Sequence, residues 1–369
     1  MNIPLSAPDI TEAEIEAVTA VLRTARLSLG PRLEAFERAM AEYIGVPHAV
    51  GVSSGTAGLH LAMRALNIGE GDEVIVPSFT FIAAANAIRY ERAIPVFVDI
   101  EPTTLNLDPA RVEAAITPRT RAILAVHMFG VPADMRAILS IAERHRLLVI
   151  EDACEAIGAE LDGLRVGSFG DAAVFAFYPN KQITTGEGGM VVTRNGALAK
   201  RMRALRNQGR YESDDWLQHS ELGYNYRLSE IHCALGLAQL RRIESILAAR
   251  AAVARGYHER LKGEPLILPP LELPRSRVSW FVYVVRLQPE FGQQHRDAML
   301  QSLSAQGIGC ARYFAPIHLQ PAYAAWKDTL LPVTEAEAAR TLALPFFNAL
   351  TAEQLDRVCE AVARELRRF

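Results

Sequence analysis

Lys181 stands in FAFYPNKQITTGEGGMVV, between a strand-like apolar run and a glycine-rich turn. Asp152, 29 residues before it, ends the apolar run LLVIEDA beside a second carboxylate, Glu151. A lysine and an aspartate delivered to the ends of neighbouring buried strands suggest pyridoxal phosphate (PLP) chemistry. The lysine can hold that cofactor as a Schiff base while the aspartate fixes the protonated pyridine nitrogen. Taken singly, each residue has a plainer role: a surface lysine after a strand, and an aspartate capping a helix. Glu151 reads as structural. A third feature is SSGTAGLHLAMRAL, in which Ser53, Ser54, Gly55 and Thr56 fall where a strand gives way to a helix. Unpaired N–H groups and the positive end of the helix dipole make such a place an anion site. A serine N-cap explains the same residues without any ligand.

These residues need a scaffold, and the chain supplies one. From about residue 48, short β-rich runs alternate with helical patterns: HAVGVSS with TAGLHLAMRAL, EVIVPS with FIAAANAIRY, IPVFVDI with PARVEAAI, AILAVHMF with DMRAILSIAERHR. Such alternation implies βαβ units, and runs that are apolar throughout imply strands covered on both faces. The fold class is therefore α/β, with a mainly parallel central sheet flanked by helices. DAAVFAFY and GGMVVTR add two strands separated by the lysine loop. RLSEIHCALGLAQLRRIESILAARAAVARGYHERL reads as one long helix or a helix with a break, with Ile231, Leu235, Ala238 and Ile243 at roughly helical spacing. The proline-rich ILPPLELPRSR marks a join. We expect a large cofactor-binding domain over residues 1–250, with an N-terminal helical segment, and a small α+β domain over 251–369.

Composition narrows the function. The chain has 369 residues, half of them apolar, and a net charge of −3. That length supports a large core, and the mixed charge offers no basic face for nucleic acid. Cys154, Cys233, Cys310 and Cys359 are scattered without a C-x-x-C pair, which disfavours a metal site or a disulfide framework and fits a reducing compartment. No apolar run reaches membrane-spanning length, and MNIPLSAPDITEAE lacks the pattern of a signal peptide. The expectation is a cytoplasmic protein with no membrane, nucleic-acid or metal partner.

The motifs together resemble the DegT/DnrJ/EryC1/StrS family of PLP-dependent sugar aminotransferases, of the aspartate-aminotransferase fold type I. The resemblance runs through LSLGPRLEAFERAMAEYIGV, SGTAGLHLAMRAL, PSFTFIAAANAI, EDACEAIGA, FYPNKQITTGEGG, LGYNYRLSEIHCALGLAQL and RYFAPIHLQPAY, in that order along nearly the whole chain. It implies that Lys181 carries the cofactor, Asp152 holds its ring nitrogen, and Gly55 and Thr56 contact its phosphate. It implies that Phe81 stacks on the ring and that Asn225 reaches the phosphate in a neighbouring subunit, so that a homodimer shares its active sites. Tyr313, His318 and Gln320 are implied near the substrate. Arg210 and Arg227 are candidates for an anionic group of either substrate. Two positions depart from the family. Ala176 replaces a frequent serine that donates to the phosphate, and Glu155 replaces a frequent glutamine near the cofactor's phenolic oxygen.

The implied reaction has two halves. An amino acid, with L-glutamate expected, leaves its amine on the cofactor as pyridoxamine phosphate. The amine then passes to a keto group of a nucleotide-linked deoxysugar, with a 4-keto-6-deoxyhexose expected. A 3-keto sugar or a carbocyclic ketone is the alternative acceptor, and a noncatalytic regulator on the same fold is the alternative of another class. Relatives that remove a sugar hydroxyl replace the lysine with histidine; this chain keeps Lys181.

Overall fold

The structure is a computed structural model and describes residues 2–368. Among these residues the helices begin with α1 (Glu12–Leu22) and α2 (Pro31–Ile44). There follow β1 (His48–Val52), α3 (Gly55–Ala65), β2 (Glu73–Pro77), α4 (Ala83–Tyr90), β3 (Ile94–Val98), α5 (Pro109–Ala114), β4 (Thr120–Val126), α6 (Met135–His145) and β5 (Leu148–Asp152). Two short strands, β6 (Glu160–Leu161) and β7 (Leu164–Arg165), precede β8 (Ala172–Ala176), β9 (Gly189–Thr193) and α7 (Gly196–Arg206).

The main sheet has seven strands in the order β1-β9-β8-β5-β4-β2-β3. Neighbours from β8 to β3 are parallel, and β9 runs antiparallel to both β1 and β8. β1 therefore points the same way as β8, β5, β4 and β2. All five bring their C-terminal ends to one edge, where open α/β sheets bind ligands. β2 reads EVIVP and is buried at every position, as expected of a strand with helices on both faces.

The outer edge of β1 is closed by side chains. Glu37 accepts a bond from Gly51 N–H, while Arg203 and Arg206 donate to the carbonyls of Ala49 and Gly51. The charged groups of Glu37 and Arg206 also pair with each other. An edge strand covered in this way cannot recruit a further strand.

The long helical pattern does break. α8 (Glu230–Arg241) is followed by α9 (Ile243–Leu261), with Arg242 between them at φ −114°. The Arg242 guanidinium binds Asp9 and Glu14, so the break ties the N-terminal segment to the helix pair. Residue 250 lies within α9. The later part of α9 packs Val253, Tyr257 and Leu261 against a second apolar cluster that also contains Ile3. That cluster covers a three-stranded antiparallel sheet of β10 (Leu266–Ile267), β12 (Tyr283–Leu287) and β13 (Thr341–Leu344), in the order β10-β12-β13. Between the first two strands, β11 (Ser276–Arg277) joins β6 and β7 in a small sheet of their own. Helices α10 (Gln293–Ala305), α11 (Pro332–Arg340) and α12 (Ala352–Leu366) complete this part. No helix among the described residues is long and apolar enough to cross a membrane.

Candidate active site

A cavity of about 310 Å³ opens where the strand ends converge. Much of its wall comes from residues at or shortly past strand ends: Ser54 to Thr56 after β1, Thr80 and Phe81 after β2, Val126 at the end of β4, Asp152 at the end of β5, Ala176 at the end of β8. The lysine loop adds Asn180 and Lys181. Phe281, Tyr313 and Phe314 come from the C-terminal part of the chain.

One end of the cavity is suited to an anion. Ser54 caps α3 by accepting from Ala57 N–H at 3.0 Å, and Gly58 N–H donates to the Ser54 carbonyl. The N–H groups of Gly55 and Thr56 have no such acceptor among the described residues, and both residues line the cavity. Gly55 is required for packing: a Cβ there would lie 2.7 Å from Ala176 Cβ and 3.0 Å from Cys154 Sγ. The helix end can therefore approach β8 only without a side chain.

Asp152 and Glu151 divide their work as adjacent strand residues on opposite faces must. Asp152 is 8% exposed and lines the cavity; its Oδ1 accepts from Cys154 N–H at 3.1 Å. Glu151 is fully buried on the other face. It accepts from the backbone N–H groups of Gly167, Phe169 and Gly170 at 2.7 to 2.9 Å. His127 completes this set: its Nδ1 accepts from Ala133 N–H, so Nε2–H donates to Glu151 at 3.0 Å. Glu151→Leu would leave three buried N–H groups and the imidazole without their acceptor. It is expected to lower the unfolding free energy by about 3–5 kcal/mol, measured by chemical denaturation.

Lys181 projects into the cavity with its side chain 14% exposed. Its Nζ lies 3.5 Å from Glu155 Oε1 and 4.0 Å from the centre of the Phe281 ring. Glu155 is held from behind. Phe129 N–H donates to Oε2 at 3.1 Å, and Gln182 Nε2 donates to the Glu155 carbonyl at 2.6 Å. The same Gln182 amide reaches Ser279, two residues before Phe281, so one side chain ties both neighbours of Nζ together. Burial pushes the Glu155 carboxyl above the ordinary carboxylate range, with the Lys181 charge opposing. Burial also raises the Cys154 thiol far above its usual value, and the Asp152 charge adds to this, so the sulfur stays protonated. Burial likewise raises the Tyr313 phenol, with Glu155 contributing.

Most of the residues expected from the sequence come together here. Lys181, Asp152, Gly55, Thr56, Phe81, Glu155 and Tyr313 line one cavity. Phe81 is 59% exposed and leaves its ring open. Asn225 is exposed and outside this cavity, as is the half-buried Gln320. His318 departs from expectation. It is fully buried, its Nδ1 is 2.7 Å from Ser78 Oγ, and its Nε2 is 3.4 Å from Glu335. It lies outside the cavity, packed between Ser78 and Glu335. Arg227 donates to Asn207, and Arg210 lies over the Trp216 ring, both outside the cavity. Phe281, Phe314 and Asn180 were not expected in the wall. Asn180 falls within the motif that carries Lys181, and its Oδ1 is buried without a partner among the described residues.

The cavity fits PLP. It offers free N–H groups at a helix end for the phosphate, a carboxylate for the ring nitrogen, and an enclosed lysine amine. Comparison with known proteins agrees. The sequence profile of the DegT/DnrJ/EryC1/StrS aminotransferase family matches residues 8–363. The GDP-perosamine synthase of Caulobacter vibrioides is 44% identical over 99% of this chain and 98% of its own length. The UDP-N-acetyl-3-dehydro-alpha-D-glucosamine 3-aminotransferase of Acidithiobacillus ferrooxidans is 42% identical over 95% of this chain and 93% of its own. Spr1654 of Streptococcus pneumoniae, solved in a PLP form, superposes over all of this chain and 99% of its own with a TM-score of 0.95 and 29% identity.

Proposed function

Because the chain belongs to the DegT/DnrJ/EryC1/StrS aminotransferase family, we propose that it moves an amino group from L-glutamate to the keto group of a nucleotide-linked 4-keto-6-deoxyhexose. The observation that carries the reading is the meeting of Lys181, Asp152 and the open N-terminus of α3 in one cavity. Bound there, PLP supplies a carbonyl that exchanges amines and a ring that withdraws electrons from the reacting carbon.

The chain's own residues do the rest. Lys181 would hold the cofactor, and its amine, once displaced, would serve as the base that moves a proton between the substrate carbon and the cofactor carbon. The Asp152 carboxylate would receive the ring N–H in a charge-assisted hydrogen bond and so keep the ring cationic. Gly55 and Thr56 N–H groups would receive the phosphate. Ala176 adds no donor to that end. The open face of Phe81 suits stacking on a flat ring. Tyr313 stands on the C-terminal wall, where the sugar would enter. Asn225, exposed and away from its own cavity, is read as reaching the phosphate site of a second copy, which makes the working unit a homodimer.

The 4-keto acceptor is preferred because perosamine is a 4-amino sugar and the synthase matches this chain nearly end to end. The Acidithiobacillus relative, named for a 3-keto sugar, supports a 3-keto acceptor as the second reading. A glutamate-dependent assay over a panel of 3-keto and 4-keto nucleotide sugars separates them. The visible band of the loaded protein is expected to disappear with glutamate and return with a 4-keto sugar. Absence of any band, or a band unchanged by every amino donor, would sink the enzyme reading.

A further inference from the structure

Lys181 Nζ is placed between two groups that suit an ammonium ion. Glu155 Oε1 lies 3.5 Å away on one side and the Phe281 ring centre 4.0 Å away on another. Neither neighbour is free to drift. The Glu155 carboxylate is anchored by Phe129 N–H, and its backbone by Gln182. Phe281 is fixed through its own carbonyl, which accepts from the buried Arg250 guanidinium at 2.7 Å, while the same guanidinium holds the Trp280 carbonyl at 2.6 Å. Ser279 is clamped by Gln182 and in turn donates to the Ile157 carbonyl. Five separate stretches of chain are thus locked together around one amine.

We propose that Glu155 and Phe281 form a built seat for the unbonded Lys181 ammonium, the form this side chain takes after the amino group has passed to the cofactor. The role in turnover rests on the function proposed above; the seat itself is a property of the chain. A buried ammonium needs a counter-charge or an aromatic face in place of water, and this seat supplies both. The cavity has two other carboxylates: Asp152, which is committed to the ring nitrogen in the proposed function, and Glu187, which is exposed. Glu155 is left as the counter-charge for the displaced lysine. The seat stabilises the state in which the lysine is displaced, and so favours the aminated form of the enzyme.

The groups facing Glu155 are Lys181, Asp152, Cys154 and Tyr313, together with Phe129 N–H. Burial raises its pKa above the ordinary carboxylate range, so the carboxylate is present above that raised value and is lost as pH falls through it. The seat therefore weakens on acidification at a higher pH than an exposed glutamate would show.

The sequence allows a direct test, because it contains four lysines, and Lys200, Lys262 and Lys327 are all exposed. Full-length protein stripped of cofactor is methylated with formaldehyde and cyanoborohydride at pH 7.5, and each lysine peptide is quantified by mass spectrometry. Loss of the counter-charge removes the contact that occupies the amine. In Glu155→Gln, labelling of Lys181 relative to the three exposed lysines is expected to rise by about five- to tenfold. Phe281→Leu should give a smaller rise in the same direction, and the contrast between Glu155→Gln and the parent should shrink as pH is lowered. An unchanged ratio in both variants, or an equal rise at all four lysines, would overturn the seat. In loaded protein at a fixed ratio of glutamate to 2-oxoglutarate, Glu155→Gln should shift the absorbance several-fold toward the lysine-bonded form. An unshifted ratio of forms would overturn the role in turnover. Should no protein show an absorbing form, the proposed function fails while the labelling result still decides the seat.

Discussion

Lys181→Ala is expected to abolish amino transfer, with a fall in kcat of about 10⁴-fold or more. Two roles vanish together in this variant. The amine that would hold the cofactor is gone, and so is the base that would move the proton. A single positioned base contributes roughly 10²–10⁴-fold, and the covalent role comes in addition. No other side chain can take over the position. The remaining three lysines are exposed, and Glu155 is too firmly held by Phe129 and Gln182 to move into the place of the amine. The variant should still bind PLP, through Asp152 and the α3 N-terminus, but release it on dialysis. A small primary amine in the buffer should restore part of the proton transfer. Residual activity within tenfold of the parent would show that the lysine is not the reacting group.

The second large effect is expected at Asp152. Asp152→Asn retains an oxygen for Cys154 N–H, so the turn after β5 should survive and stability should change little. What it loses is the charge. An amide cannot favour a cationic ring as a carboxylate does, and the electron withdrawal on which the reaction depends is weakened. Removal of one preorganised electrostatic partner typically costs about 10²–10³ in kcat, and a loss of that size is expected here. The loss should appear in kcat more than in KM for the sugar, because Asp152 lies at the inner end of the cavity, on the β5 strand. Stopped-flow measurement of the glutamate half-reaction alone should show the same loss. An unaltered half-reaction would place the ring nitrogen elsewhere.

Much of this arrangement is legible in the sequence, and the reason is physical. Gly55, Asp152 and Lys181 each follow or end a largely apolar run, and in a parallel sheet the ends of such runs meet at one edge. Knowing the runs is therefore nearly enough to know that the residues converge. The alternation along β5 also explains why neighbouring carboxylates differ: Glu151 must face away from the cavity if Asp152 faces it. What escaped the sequence depends on partners far along the chain. His318 looks available in its proline-flanked loop, but Ser78, 240 positions away, takes its imidazole. Phe281 lies in WFVYVVRL, where the first six positions are apolar or aromatic and none declares which side it faces. Its place against Lys181 is set by Arg250 and Gln182. The break between α8 and α9 has a similar cause, because Asp9 and Glu14, which hold Arg242, are more than 200 positions away. Glu155 is the most instructive case. Its type marked it as a departure from the family, but only the hydrogen bonds at its back show that it is aimed at the lysine.

The most direct test of the central claim is borohydride reduction of the PLP-loaded protein followed by peptide mapping. Reduction fixes the cofactor to whichever lysine holds it, and the chain offers four. A single pyridoxyl adduct on the peptide carrying Lys181, lost in Lys181→Ala, is the predicted result. Adducts spread over Lys200, Lys262 and Lys327 with Lys181 unmodified would contradict it.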